Sequence, residues 1–450
     1  MNARREEMRA LRRLALPIIA TNLGTMLMGM VDTMMVGHLG DGQSLAAVVL
    51  ANVWISGTML LGMGIVFGMD PIVTRAHGAR DAERMGLALQ RGVVIALVIG
   101  VLLAGLWTYS DTFLLALGQD PATAQLAHEY TQAQLWTAPF FMVFVALRQY
   151  LQGRGILAPV LWVTVIANVF NALFNWTLIY GKLGMPAMGL VGAGVATALT
   201  RGLMLAGLLA MVFALRLQRG AWVPWSRRAL EPSGIWEVLH YGIPTGVQLS
   251  LEIWAFGYST LMAGRLGNLS AAAHGVVLNM ASMTFMVPLG ISLAAVTRVG
   301  NLIGQGRTER AQTTAWVAFA LGAAVMVLAA TFFLAARSWL PTLYTTDLEV
   351  VALCATILPI AAAFQIFDGV QVVGSGILRG MGQTRPAAVF NLVGYWFLAL
   401  PIGYWMAFET DLALRGVWWG LVIGLAVVAV CLLAWVHRRG PAHMAARAGR

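Results

Sequence analysis

Residues 14–37 read LALPIIATNLGTMLMGMVDTMMVG, an apolar run whose only ionisable side chain is Asp32. An α-helix needs about 20 apolar residues to cross the hydrocarbon core of a membrane. Eleven further stretches have a similar length and character. The whole chain is 59% hydrophobic and 11% charged, whereas a soluble globular domain has about 25% charged residues. The sequence therefore predicts an all-α integral membrane protein with twelve transmembrane helices.

The connectors between these stretches are short. The longest of them, 216–238, is too short to fold as a soluble domain. The predicted spans are approximately 14–37, 44–68, 90–109, 126–147, 158–180, 188–215, 239–263, 271–296, 312–335, 350–378, 386–408 and 414–436.

An internal repeat with an offset of 227 residues relates the two halves of the chain. At this offset Pro17 falls on Pro244, and Arg80 falls on Arg307 in a similar loop. A repeat of six spans enters the membrane twice in the same orientation, as in parallel-repeat transporters. We therefore expect two six-helix bundles around a central cavity. The corresponding division is an N-terminal lobe 1–215, a cytoplasmic linker 216–238 and a C-terminal lobe 239–450.

The basic residues are distributed asymmetrically between the two sides of the predicted membrane. Of the 29 basic residues, 24 lie on one set of connectors, and the opposite loops hold only Lys182, Arg265, Arg337 and Arg415. The positive-inside rule then places both termini in the cytoplasm. The net charge of +10 is explained by this topology and by contact with anionic lipid, so we expect no nucleic-acid partner. The scarcity of lysine is typical of a GC-rich bacterial genome and indicates a cell inner membrane.

Three carboxylates lie inside predicted spans: Asp32 in GTMLMGMVDTMMVG, Glu252 in GVQLSLEIWAFGYS and Asp368 in AAAFQIFDGVQVVG. An Asp at the centre of a membrane helix costs about 2.5–3.5 kcal/mol on insertion scales, so intramembrane acids usually handle ions or protons. The repeat does not pair them, because it sets Asp32 opposite Ser259 and Glu252 opposite Thr25. The two halves therefore have the same order of spans but carry their acidic residues at different positions.

Four segments give the chain a resemblance to the multidrug and toxic compound extrusion (MATE) family, in its NorM-like branch. The most specific is YGKLGMPAMGLVGAGVATA at 180–198, and the resemblance covers all twelve spans. The other three are LALPIIATNLGTMLMGMVDTMMVGHLG at the start, RVGNLIGQGR at 298–307 and LRGMGQTRPA at 378–387. The resemblance implies a secondary active exporter that antiports organic, often cationic, compounds against Na⁺ or H⁺ by alternating access of its two lobes.

The resemblance also implies roles for particular residues. Glu252 and Asp368 match the acidic pair of a cation site in the C-terminal lobe, where Na⁺ or H⁺ would bind. Asp32 matches the first-helix acid of the N-terminal lobe. Around it, Asn171 and Asn175 match a pair of amides on the fifth helix, with Thr197 as a further neighbour, so these three form a second set of ligands.

Other functions fit the sequence less well. A lipid-linked saccharide flippase of the same broad superfamily would line its cavity with basic residues, but Arg201 is the only basic exception among the intramembrane charges. An enzyme would need a nucleophile–base or metal cluster, and Walker A and HExxH patterns are absent. A channel would not need two six-helix halves. We therefore expect no catalytic residue and no cofactor beyond the coupling ion. The expected partners are small organic substrates and the lipid bilayer, with the chain acting as a monomer.

Overall fold

The computed structural model describes residues 2–40 and 42–448, and these residues form helices and no strand. In the first half the α-helices are α1 Asn2–Gly37, α2 Gly42–Val66, α3 Asp70–Ala79, α4 Ala82–Trp107, α5 Ser110–Ala116, α6 Pro121–Gln132, α7 Ala138–Gly153, α8 Ala158–Tyr180 and α9 Gly189–Ala214. In the second half they are α10 Pro232–Arg265, α11 Asn268–Gly304, α12 Thr308–Ala335, α13 Leu348–Gly380, α14 Thr384–Asn391, α15 Leu400–Phe408, α16 Leu414–Arg439 and α17 Pro441–Ala448. A π-helical segment, Leu392–Ala399, joins α14 to α15.

Ten helices of the described chain are long and apolar enough to cross a membrane. The predicted fourth and seventh spans are not among them. The fourth, 126–147, is interrupted by a short 3₁₀ turn at Leu135–Thr137, just before Pro139, which cannot continue a helix from the preceding turn. The seventh lies within the unbroken 34-residue helix α10, where polar side chains such as Gln248 and Glu252 reduce the mean hydropathy.

Large apolar side chains are exposed along the spans. Leu102 on α4 and Leu328 on α12 are 67% and 70% exposed. A water-soluble protein rarely exposes apolar patches of the size that these rows of side chains form, whereas a membrane-spanning surface requires them. The structure therefore agrees with the composition in describing an integral membrane protein.

The helices pack into two compact units. Unit 1 contains the chain up to Ile19, residues His77–Ala79 and the chain from Val247 onward, and unit 2 contains Ala20–Ala76 and Arg80–Gly246. Helix α1 therefore begins in unit 1 and continues in unit 2, and α10 does the reverse. The two crossing points are equivalent in the repeat, and each lies two residues after its proline, Pro17 or Pro244.

This exchange of helix beginnings differs from the linear division into lobes 1–215 and 239–450. We attribute this exchange to the close approach of helix backbones within each unit. Within unit 2, a Cβ atom added to Gly64 of α2 would lie only 2.7 Å from the backbone nitrogen of Gly246 on α10. Within unit 1, a Cβ added to Gly290 of α11 would lie 3.1 Å from the backbone nitrogen of Ile19. Small residues at these crossings let the helices pack backbone to backbone.

The connector between α9 and α10 packs onto unit 2. The Tyr150 hydroxyl donates to the Ala221 carbonyl at 2.8 Å, and Arg154 Nη1 donates to the Leu217 carbonyl at 2.9 Å. Gln90 donates to the carbonyl of Val223 at 3.0 Å. The segment predicted as a linker, 216–238, is thus held against the helices of this unit.

Glu7 fixes the beginning of α1 within unit 1. Its side chain is fully buried, and Arg298 donates to both carboxylate oxygens, from Nε at 2.7 Å and from Nη2 at 2.8 Å. The Thr314 hydroxyl donates a third hydrogen bond at 3.0 Å, and Arg310 pairs with the same carboxylate at 3.3 Å. Bidentate, charge-assisted contacts of this kind are the strong ones, so Glu7 ties α1 to α11 and α12.

We expect Glu7→Gln to destabilise the protein by on the order of 3 kcal/mol, because it removes one partner of a buried ion pair and leaves the guanidinium of Arg298 uncompensated. The measurement is the unfolding midpoint of the purified protein in detergent, followed by tryptophan fluorescence. Glu6→Gln is the matched control, since Glu6 pairs with Arg310 at an exposed site where an ion pair contributes at most about 1 kcal/mol. Equal shifts for the two variants would contradict the anchoring role.

Candidate functional site

Unit 2 buries a polar cluster, which we call the Asp32 cluster, formed by Asp32, Asn171, Asn175 and Thr197. Asp32 is 4% exposed and both asparagines are fully buried. Asn175 Nδ2 donates to Asp32 Oδ1 at 2.5 Å, and the Thr197 hydroxyl donates to Asp32 Oδ2 at 2.8 Å. Asn175 Nδ2 also lies 3.3 Å from Asn171 Oδ1. The four residues singled out in the sequence are therefore brought together in one place.

Three helices position this cluster. Asn171 and Asn175 are four residues apart on α8, so they share one helix face. Thr197 comes from α9, whose Gly192 lies against the Leu178 carbonyl of α8, where a Cβ would be only 2.6 Å away. The Tyr180 hydroxyl donates to the Met35 carbonyl at 2.7 Å and so ties α8 to α1 beside Asp32.

The Asp32 cluster keeps unused polar atoms. Asn175 Oδ1 and Asn171 Nδ2 are buried and make no hydrogen bond among the described residues. Buried polar atoms without partners are uncommon, and each needs an explanation such as a bound ion or water. Oxygen atoms of the carboxylate, the amides and the hydroxyl are the ligands that a hard cation prefers. The cluster therefore has the donor set of a small cation site.

Unit 1 holds the acidic pair, Glu252 on α10 and Asp368 on α13. Asp368 is 3% exposed and Glu252 is partly buried. The two carboxyl groups are close enough to interact electrostatically. Gln371, one turn after Asp368, donates from Nε2 to Glu252 Oε2 at 3.3 Å and to Asn391 Oδ1 at 2.9 Å. The structure thus places the two acids in one neighbourhood, and the Gln371 amide contacts one of them, Glu252.

A buried tyrosine completes the surroundings of the acidic pair. Tyr395 is fully buried, lies within electrostatic range of both acids, and has a hydroxyl without a hydrogen-bond partner among the described residues. It stands in the π-helical segment Leu392–Ala399. Such segments are rare and often occur at functional sites, because the wider turn redirects a side chain.

Several of these residues do not stand out in the sequence. Gln371 could have been found from its spacing, because it shares a helix face with Asp368. Tyr395 and Asn391 carried no such signal, since their positions depend on how α14 and the π-helical segment pack. Asp70, near the end of the predicted second span, is 3% exposed and accepts two hydrogen bonds from Gln149 Nε2, at 2.9 and 3.1 Å.

The described residues contain no group of three or more His, Cys, Asp or Glu side chains that could hold a metal ion. Neither carboxylate of the acidic pair forms an ion pair with a basic side chain in the described part of the chain, and the same holds for Asp32. The hydrogen bonds that Asp32 and Glu252 accept among the described residues therefore come from neutral amides and a hydroxyl. This arrangement suits a weakly bound, exchangeable cation better than a permanently held metal.

Comparison with known proteins places these sites in a family context. The MatE family model matches residues 17–177 and 244–405. The chain is 33% identical over 451 residues to the "Probable multidrug resistance protein NorM" of Mesorhizobium japonicum, covering 97% of this chain and 95% of that protein. It is 31% identical over 452 residues to the "Multidrug resistance protein MdtK" of Edwardsiella ictaluri, covering 99% of both. Among solved structures, the eukaryotic MATE transporter AtDTX14 matches with a TM-score of 0.90 at 25% identity, covering 97% of this chain and 96% of that one.

These matches confirm several expectations. The family model matches both halves and begins at Pro17 and at Pro244, the two prolines that the repeat offset sets in register. The repeat, the all-helical membrane fold and the resemblance stated from sequence are therefore confirmed. The expectation that the chain is a transporter and not an enzyme is confirmed in the same way.

We expect Asn175→Leu to lower the stability of the protein by about 1–3 kcal/mol, because the buried Asp32 carboxylate loses a hydrogen-bond donor. Asn168→Leu is the matched control on the same helix, since in the described part of the chain Asn168 bonds only to the Thr164 carbonyl of its own helix. The unfolding midpoints of both variants in detergent provide the measurement. A larger loss for Asn168→Leu than for Asn175→Leu would show that the Asp32 cluster does not depend on this amide.

Proposed function

The chain belongs to the MatE family of multidrug efflux transporters, and on that premise we propose that it exports organic, often cationic, compounds in exchange for Na⁺ or H⁺. The observation that carries this proposal is the presence of one buried carboxylate site in each compact unit, with no basic side chain paired to any of the three acids among the described residues. Sites of this kind attract cations and release them, as coupling requires.

The acidic pair is proposed as the principal coupling site. Two neighbouring buried carboxylates resist carrying two negative charges at once. Taking up a single cation, either H⁺ or Na⁺, relieves that repulsion, and an organic cation entering the same region competes for the same charge. Occupation by the driving ion therefore disfavours the drug, and binding of the drug disfavours the ion.

The Asp32 cluster is proposed as a second cation site, with Asn171, Asn175 and Thr197 as its neutral ligands. It lies in unit 2, whereas the acidic pair lies in unit 1. A ligand shifts a conformational equilibrium only by its difference in affinity for the two states. A site in each unit allows ion binding to bias both units during the transport cycle.

Alternating access requires helices that can bend where they pass from one unit to the other. We propose that α1 and α10 bend where each passes from one unit to the other, beside Pro17 and Pro244. A proline inside a helix removes one backbone hydrogen bond and permits a kink. The matching positions in the repeat would let both helices bend in concert.

The distribution of basic residues between the two sets of connectors indicates how the protein lies in its membrane. We place the protein in the bacterial inner membrane with both termini cytoplasmic, acting as a monomer without nucleic acid or a cofactor. The bacterial origin of the NorM and MdtK relatives supports the inner membrane. A saccharide flippase is the weaker alternative, because the intramembrane charges around both sites are mainly acidic.

Transport by everted membrane vesicles tests the coupling site. We expect Asp368→Asn and Glu252→Gln to lower the initial rate of dye export by about tenfold or more, as for a loss of ~1.4 kcal/mol of coupling free energy. Asp411→Asn, which changes an exposed acid, is the control and should export at the wild-type rate. Imposed Na⁺ and H⁺ gradients, applied separately, identify the driving ion. Wild-type export by both site variants would show that the acidic pair does not couple transport.

Ion binding can be measured without transport. If Na⁺ is the coupling ion, replacing choline chloride by NaCl at constant ionic strength should raise the unfolding midpoint, because a ligand that binds only the folded state adds about 2.7 kcal/mol at 100 times its Kd. Asp32→Asn and the double variant Glu252→Gln/Asp368→Asn should each reduce this shift. A wild-type midpoint that does not respond to Na⁺ would assign coupling to H⁺.

A further inference from the structure

Arg201 is a positive charge within the predicted sixth span, and neither proposed cation site uses it. It lies on α9, one turn after Thr197, so that the two residues share a helix face. Its electrostatic neighbours among the described residues are Asp32 and Tyr130. Arg201 therefore lies beside the Asp32 cluster.

The guanidinium of Arg201 is held in place but not paired. Its Cζ lies 5.2 Å from the ring centroid of Phe141, a distance at which a cation is attracted to an aromatic face. Nη1 is buried and makes no hydrogen bond among the described residues, and no ion pair there involves Arg201. The side chain as a whole is only partly buried, so the guanidinium is not sealed from its surroundings.

Asp32 does not supply the missing partner. Its two carboxylate oxygens accept hydrogen bonds from Asn175 and Thr197, and no ion pair joins Asp32 to Arg201 among the described residues. A guanidinium stays charged under all conditions in a protein, so it cannot avoid the cost of burial by losing its proton. An uncompensated charge in this position is costly. The arrangement therefore leaves a planar set of N–H donors available for an anion.

We infer that Arg201 is a specificity-determining residue that binds the carboxylate of zwitterionic substrates. A guanidinium matches a carboxylate with two parallel hydrogen bonds. Asp32 lies nearby with the opposite charge, so the two residues together complement a molecule that carries both a cationic group and a carboxylate. This inference rests on the proposed export function and narrows its substrates to include aromatic zwitterions beside simple cations.

Two dyes that differ only at the carboxylate test this inference. Rhodamine B carries a delocalised cation and a free carboxylate, whereas its ethyl ester carries the cation alone. Export of each dye by everted vesicles gives a ratio of initial rates, rhodamine B over ester. We expect Arg201→Gln to lower this ratio about tenfold, the change that corresponds to the loss of one charge-assisted interaction. Arg201→Lys should recover part of the ratio, because an ammonium keeps the charge but not the two-point geometry.

Other outcomes separate this inference from the function on which it rests. A parallel fall in export of both dyes would overturn the inference and leave Arg201 as a structural counter-charge for Asp32. An unchanged ratio in Arg201→Gln would overturn it as well, as would wild-type protein that exports the ester but not rhodamine B. Wild-type protein that exports neither dye nor other organic cations would count against the proposed export function itself. The unfolding midpoint of each variant verifies that it is folded.

Discussion

A charge inside a membrane must find its partners within the protein, and the polar architecture of this chain follows from that constraint. Glu7, which precedes the first predicted span, is buried against two arginines and a threonine hydroxyl, and these contacts anchor the beginning of α1 in unit 1. Asp32 satisfies the constraint with neutral donors from α8 and α9. The first solution is a strong, permanent contact. The second pairs the carboxylate with neutral hydrogen-bond donors, as the exchangeable cation proposed for this site would require.

The internal repeat gives the two halves the same order of helices but different buried polar residues. The position equivalent to Asp32 in the second half is Ser259, whose hydroxyl donates to the Phe256 carbonyl at 2.7 Å and lies 3.4 Å from His274 Nε2. The second half instead carries its acids at Glu252 and Asp368. Helix packing is thus duplicated, while the charged groups are not.

Much of the candidate site could be predicted from the sequence, because an acid in an apolar segment is costly and therefore conspicuous. Asp32, Glu252 and Asp368 were found on that ground, and the resemblance supplied Asn171, Asn175 and Thr197. The buried state of Asp70 was not predictable, since its segment resembles a membrane boundary and its partner Gln149 is distant in the chain. Tyr395 was missed for a related reason: its orientation depends on a π-helical segment, which has no simple sequence signature.

The sequence by itself determined the membrane class, the repeat and the intramembrane acids, because hydropathy, spacing and charge cost are properties of local segments. Only the tertiary structure decided which helices belong to which unit. The beginnings of α1 and α10 are exchanged between the units, since glycines such as Gly64 and Gly290 allow backbones to approach more closely there than any larger side chain would permit. The tertiary structure also decided which groups remain unpaired, as Arg201 does among the described residues, because hydrogen-bond partners come from helices far apart in the chain.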